Sequence, residues 1–593
     1  MNSICGFMSG VSNVDTPAHR GAGNVLGVTF LFARKVDVVF CNKSNGCKRP
    51  FEEGKKNLQL TTGFCDHTKN VCRRGRQTTL EIMMLARGVV VALIVGIVSV
   101  SANLDTVERP IQIVQLVPTD DAQVLSLVHL YETGILDFWR APTKVGATVD
   151  VMVDQRQKAQ LEAFALENGI STVKTLVTDL EQMITDQESD ANWRAKAIKM
   201  LHGSGRSRDA LEAGMDDFGL SMADYHPYGD IVAWMGRIAA RMPTQARVFS
   251  IGRTVEGREI NGLKIGNPVG DSSKRIIWID GGIHAREWTA VHTTVYFIYK
   301  IINKLQRREA DLLKVLDSVE LVVIPVLNPD GYEFTRTEPR NALVRMWRKS
   351  RSNDRCATDR NGKQTCCKGV DLNRNFDYRW AETGTSFHPC SEIYHGAGAF
   401  SEPETRNVRD AILNSDLTGR IDAYVTLHAY SQLWIYPYSN KKQSYPADIA
   451  DLKKVAARAV NAIGKLFGTR YMHGTGPEII YAYTGGSSDW AKEKAGIKYS
   501  YTIELRPSYY SWNGFVLDKS QLIPTARETY DGIWVVLDTV AREARGEVDP
   551  VPVVAPTPAR PTTTPRPLAP GECRDVESTS SMSKQCAKSC GLC

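Results

Sequence analysis

The sequence predicts an α/β fold, a mixed central sheet flanked by helices, and three observations carry that prediction. Between about residues 210 and 545, apolar runs of strand length alternate with stretches of helical periodicity. Two of these runs, Arg275–Asp280 and Ile421–Leu427, end on segments that carry a histidine, His284 and His428. In open α/β sheets, ligand sites lie outside the carboxyl ends of strands. Ahead of this region, residues 103 to about 205 repeat a strand–helix order on a smaller scale, as a separate α+β unit would.

In chain order, residues 1–83 come first and stay unexplained. They hold 12 Lys/Arg against 6 Asp/Glu and five cysteines, with no periodicity and no motif. They carry nearly all of the formal charge of +7, because the rest of the chain has 61 basic against 60 acidic residues. A neutral bulk excludes a nucleic-acid partner. Residues 84–102 follow, with Arg87, an apolar run from Val89 to Val98 and Ser99-Val100-Ser101-Ala102. A charged start, a short apolar core and a small-residue end are the form of a secretory signal peptide. Its position 83 residues into the chain has two explanations. Either Met83 or Met84 is the initiator and 1–83 are a gene-model extension, or 88–100 are a membrane anchor, for which the run is short.

Residues 103–208 read as a ferredoxin-like α+β unit: strands at 112–117, 147–153 and 172–177, helices at 121–130, 157–167 and 179–184. A polar helical stretch runs to Leu201. Arg206-Ser207-Arg208 in Gly/Ser surroundings is then an exposed basic segment that a protease can nick, or an ordinary linker.

Residues 209–546 form the large domain. Strands are expected at 260–265, 275–280, 319–326, 421–427 and 498–505, and helices at 227–241, 289–304, 403–413, 448–467 and 523–543. His284 and Glu287, three apart after a buried strand, suit Zn²⁺, and a catalytic zinc needs a third protein ligand and an open position. His428 at another strand end is the natural third. Glu504 stands inside the strand Tyr499–Leu505, where an unpaired charge is costly. A general base beside the metal is one reason for it, and a pair with a neighbouring Arg is another. Residues 547–572 are Pro/Thr-rich, an extended linker. Residues 573–593 carry Cys573, Cys586, Cys590 and Cys593. The even cysteine groups in the middle and at the end suggest disulfides and an oxidising, extracellular compartment.

The large domain also carries HAREW at 284–288, NPDGYEFT at 328–335, RMWRK at 345–349, GVDLNRNF at 369–376 and HPCSEIYHG at 388–396. After these come TLHAYSQ at 426–432, YPY at 436–438, IIYAYTGGSSDW at 479–490 and YTIELR at 501–506. On these nine segments, in register, residues 225–543 resemble the zinc carboxypeptidases of the pancreatic A/B type, and 103–205 resemble their activation prosegment. The resemblance implies the zinc carboxypeptidase fold and a secreted zymogen, activated by a protease near Arg206/Arg208. It implies hydrolysis of the C-terminal peptide bond of peptides or proteins by zinc-activated water. One Zn²⁺ per chain would be held by His284, Glu287 and His428, with Glu504 as general base and Arg348 polarising the scissile carbonyl.

It further implies that Asn373 and Arg374 grip the substrate carboxylate with help from Arg286 and Tyr481, that Asp371 orients a ligand histidine, and that Phe515 walls the pocket. Ser488 stands where basic-specific relatives carry Asp and apolar-specific ones Ile. Without an acid there, apolar or aromatic C-terminal residues are expected, in a pocket that Ser439 and Gly476 leave roomy. Cys367 and Cys390 match the usual disulfide, leaving Cys356 to Cys366, with the swapped pairing as the alternative. The tail resembles a truncated ShK-type module in which Cys573 can pair with Cys593. The competing readings are a catalytically silent binding protein on this fold and, through 88–100, a membrane-anchored enzyme.

Overall fold

The computed structural model describes residues 110–188, 215–358, 362 and 364–547, with four short strands near the N-terminus. The signal-like segment, Arg206/Arg208 and the tail cysteines lie outside the described residues. The four short strands pair as antiparallel hairpins, Phe40–Asn42 with Gly46–Lys48 and Gly63–Asp66 with Val71–Arg74. They belong to a compact unit, Met1–Leu93, separate from Ile94–Cys593. Among the described residues no helix is long and apolar enough to cross a membrane.

Among the described residues the second unit holds two large sheets and a two-stranded hairpin. The smaller has four antiparallel strands in the order Asp137–Arg140, Val149–Val153, Gln112–Val117, Thr172–Val177. Helices Asp121–Thr133 and Gln155–Glu167 cross between its strands. Both start on capping aspartates, Asp120 and Asp154, which accept backbone N–H groups of the first turn. Strand Asp137–Arg140 has too few residues and too many charges to announce itself by periodicity, yet it completes the ferredoxin-like order.

The larger sheet has eight strands, in the order 472–474, 433–435, 499–508, 421–431, 275–281, 319–324, 259–265, 246–253. Its centre, from 499–508 to 319–324, is parallel; 259–265 and 246–253 run antiparallel at one edge. The central strands are covered on both faces, which is why Val319–Ile324 is buried at every position and apolar at all but Glu320. Helices Trp288–Gln306, Ile449–Phe467 and Leu522–Ala544 pack on one core, while Pro403–Leu413 and Ser487–Glu493 cover a second. Among the unexpected elements, the edge strand 472–474 and its neighbour 433–435 have three residues each.

Among the described residues two disulfides are formed, Cys356–Cys366 and Cys367–Cys390. The first bridges directly opposed positions of the hairpin Arg355–Thr358/Gln364–Cys367, so the swapped arrangement is absent.

Candidate active site

Parallel pairing of Ile421–Ser431 with Tyr499–Ser508 sets His428 directly beside Glu504. Strand Arg275–Gly281 pairs with the other edge of Ile421–Ser431 and delivers the chain to His284 and Glu287 before helix Trp288–Gln306 begins. Three separate pieces of sequence thus meet at the carboxyl end of the sheet.

Ligand atoms of His284, Glu287 and His428 lie within 4.8 Å of one another, all three residues buried. His284 Nδ1 is 2.7 Å from Glu287 Oε1, His428 Nδ1 is 3.0 Å from Glu287 Oε2, and the two imidazole nitrogens are 3.1 Å apart. Two ring nitrogens and a carboxylate turned on one point, away from water, form a His₂Glu donor set, and zinc with an open fourth position takes such a set. The far side of each ring is held. Asp371 Oδ1 is 3.0 Å from His284 Nε2, and Thr426 Oγ1, itself donating to Asp280 at 2.7 Å, is 3.5 Å from His428 Nε2.

Burial works against the Glu287 charge, but His284 and His428 outweigh it and hold the carboxyl well below its usual range. Glu504 goes the other way. Desolvation pushes its carboxyl up to about 8, with the His428 charge opposing and the Glu287 charge adding to the rise. A divalent cation at the convergence point lowers both.

Arg348 donates to Asp371 Oδ2 at 2.9 Å and stands 3.6 Å from Glu287. Arg374 lies 3.9 Å from the same Asp371 oxygen and 3.4 Å from the Tyr481 hydroxyl. Asn373 is buried next to it, its Oδ1 accepting from Ser487 N at 2.9 Å. Arg348, Asn373, Arg374 and Tyr481 line one cleft with His284, Glu287, Arg286, Glu504 and Phe515. A metal cradle, a carboxylate at its edge and three arginines in one cleft suit hydrolysis of a bond near a free carboxylate.

The zinc carboxypeptidase family matches residues 231–532, and the carboxypeptidase activation peptide matches residues 114–187. The chain belongs to the zinc carboxypeptidase family. It is similar to carboxypeptidase B of Astacus astacus, 43% identical over 321 residues, which are 54% of this chain and 98% of that protein. It is similar to carboxypeptidase A1 of Bos taurus, 34% identical over 72% of this chain and 93% of that protein. Among solved structures, thrombin activatable fibrinolysis inhibitor is 30% identical with a TM-score of 0.58, over 73% of this chain and 98% of that one. Carboxypeptidase A from Helicoverpa armigera is 28% identical with a TM-score of 0.59, over 74% and 99%. The protein is therefore a zinc metallocarboxypeptidase made with an activation peptide.

In this carboxypeptidase the activation peptide seals the cleft. Tyr131, Phe138, Trp139, Arg140 and Ala141 contribute to its lining. Asp137 accepts from Arg286 Nη1 at 2.7 Å, Trp139 packs edge-on to Phe515 at 5.1 Å, and Arg140 donates to Ser511 O at 2.9 Å. The Tyr131 phenol is within electrostatic reach of Tyr481, Arg374 and Arg348, and burial raises its pKa above the ordinary range. At Gly134 (φ 70°) a Cβ would stand 2.5 Å from Ser391 Cα, so this close approach of the two domains requires glycine.

The sequence expectation set Ser488 at the pocket floor, with Ser439 and Gly476 beside it. Ser488 is buried and takes a hydrogen bond from Thr502 Oγ1 at 2.9 Å, and Ser439 and Gly476 are buried as well. Tyr483 and Thr502, which sequence reasoning did not single out, line the cleft at this end. Sequence reasoning also passed over Asp280 and Thr426 behind His428. An acid ending a buried apolar strand, as at Asp280, was the available signal.

Proposed function

We propose that the protein is a secreted carboxypeptidase zymogen that, once activated, releases C-terminal residues with Glu504 as general base and proton shuttle. The convergence of the His284/Glu287/His428 cradle, Glu504 and the Arg348/Arg374 pair in one cleft carries this reading. Zinc held by the cradle supplies a Lewis acid that acidifies water and polarises a carbonyl.

The remaining steps belong to side chains. Arg374, planar and buried, receives the substrate's terminal carboxylate bidentately, with Asn373, Arg286 and Tyr481 assisting. Glu504 takes the proton of the attacking water and hands it to the leaving amine. Arg348, anchored by Asp371, donates to the charge that develops on the carbonyl oxygen. Asp371 also fixes the His284 ring, and Phe515 forms the wall over the cleft.

The domain plan that goes with this reading is a signal-like segment at 84–102, an activation prosegment at 103–208, a catalytic domain at 209–546, a linker at 547–572 and a Cys-rich tail at 573–593. Cleavage near Arg206/Arg208 frees the cleft. With no acid lining the pocket floor, apolar C-terminal residues are favoured over Lys or Arg. Relatives named carboxypeptidase A and B both match, so their names do not choose between these classes.

The test is Glu504→Gln in the activated enzyme, assayed on blocked dipeptides alongside metal analysis. Turnover should fall by about 10²–10⁴-fold with one zinc retained per chain. Retained turnover would remove Glu504 from the mechanism.

A further inference from the structure

A substrate held by Arg374 must place its last side chain beyond the guanidinium, toward the end of the cleft that Ile435, Ile480, Tyr483 and Thr502 line. That end is already furnished. The Tyr483 ring lies 4.7 Å from Arg374 Cζ, with the Ser439 side chain beside its phenol. Backbone holds the residue as well, since Tyr483 N donates to Ser439 O at 2.8 Å. Only 5% of Tyr483 is exposed. The packing is close enough that a Cβ on Gly486 would stand 2.8 Å from a ring carbon, so the neighbouring turn makes room for the ring by carrying glycine. The ring therefore spans the depth between the arginine that takes the carboxylate and Ser439.

We propose that Tyr483 is the specificity-determining residue of this carboxypeptidase: its ring shortens the pocket so that small C-terminal side chains, of the size of Ala, Ser, Thr or Val, are accepted and aromatic or long ones are rejected. This rests on the carboxypeptidase reading above and narrows its substrate class. Interiors are packed to near-crystalline density, so a phenol ring and a substrate phenyl ring do not share one space. A single methylene in an apolar pocket already discriminates roughly 10–200-fold, and here several are at issue. The backbone bond from Tyr483 N to Ser439 O anchors the residue, so admitting a larger substrate side chain requires swinging the ring away from a fixed main chain.

The experiment uses the activated, zinc-loaded enzyme and blocked dipeptides ending in Ala, Val, Leu, Phe and Arg. The wild type should give a kcat/KM at least tenfold higher for Ala or Val than for Phe. Tyr483→Ala should reverse that order, raising the Phe/Ala ratio by about 100-fold. Tyr483→Phe, which keeps the ring and loses the hydroxyl, should keep the small-residue preference, and its normal melting temperature controls for a folding defect in the alanine variant. A second arm measures dissociation constants of the same dipeptides for the Glu504→Gln protein, with and without Tyr483→Ala. The same inversion is expected in binding, so the pocket is read even if Glu504 is not the base. A wild-type preference for Phe, or a Phe/Ala ratio that Tyr483→Ala leaves within twofold in both arms, would overturn the proposal.

Discussion

The metal cradle and the pocket floor lie in the same cleft yet are built by different means. The cradle is set by strand register: His428 and Glu504 are paired neighbours on parallel strands, and His284 follows the strand on the other side. Moving any of these groups requires slipping a central strand of an eight-stranded sheet, which flips every side chain of that strand to the other face. The floor is set by loop packing, in which a ring in the turn before helix Ser487–Glu493 rests on Ser439 after the three-residue strand 433–435. One substitution there changes the shape of the pocket without disturbing the sheet. Chemistry is thus tied to the rigid part of the fold, and substrate choice to a part that tolerates change.

The largest expected effect outside the general base falls on the support of the cradle. Asp371 is fully buried and joins His284, Arg348 and Arg374. Asp371→Ala should weaken zinc binding by about 10–100-fold, the usual cost of losing a carboxylate behind a ligand histidine. It also leaves the buried Arg348 without its carboxylate, so stability should fall by roughly 3–5 kcal/mol. Zinc titration and chemical denaturation check the two separately. If zinc affinity held while stability fell, Asp371 would serve the arginines alone, and the cradle would be less dependent on its surroundings than strand register implies.

The two regions also differ in how they hold a buried acid. In the cradle, two histidines keep Glu287 charged despite burial. Behind the floor, the buried Asp489 accepts from Ser439, at 2.7 Å from its backbone N–H, and desolvation raises the carboxyl to about 7. A raised folded-state pKa contributes stability that is complete below the unfolded value of 3.8 and is lost as pH rises through about 7. Asp489→Asn should therefore flatten part of the fall in stability between about pH 4 and 7, where one such proton contributes a slope of up to about 1.4 kcal/mol per pH unit. Denaturation midpoints across that range would show it. An unchanged slope would mean that Asp489 is ionised in the fold and that the floor is better solvated than its burial indicates.

What could be read from the sequence follows the same division. Strands 275–281, 319–324 and 421–431 are covered on both faces, so their apolar runs mark them plainly, and the site residues just past their ends inherit that clarity. Strand 246–253 was missed because its residues are mostly part-exposed at a sheet edge, and strand 137–140 because Asp137 and Arg140 look like loop residues until their partners Arg286 and Asp150 are seen. Tyr483 was missed for a related reason. In sequence it is one aromatic beside a Thr-Gly-Gly turn, with nothing to say that its ring folds back under Arg374. The resemblance puts Ser488 at a specificity position, but a resemblance carries no information about which side chain stands in front of it.

The smallest expected effect is the sharpest test of that last point. Ser488→Asp places an acid at the position from which basic specificity would be expected. Ser488 is buried, with Thr502 donating to its hydroxyl and Ser500 to its carbonyl at 2.7 Å. The new carboxylate would be buried without a partner and would take up a proton rather than attract a cation, because desolvation disfavours the charged form. Ser488→Asp alone should leave kcat/KM for a C-terminal Arg substrate within about threefold of the wild type, a shift of roughly 0.6 kcal/mol. Combined with Tyr483→Ala, the path from Arg374 to the floor opens, the incoming guanidinium supplies the missing partner, and Arg release should rise by at least tenfold. The double-mutant cycle isolates the coupling between the two positions. A gain in the single Ser488→Asp variant would show that the floor is reached past Tyr483, and that specificity is set at position 488 after all.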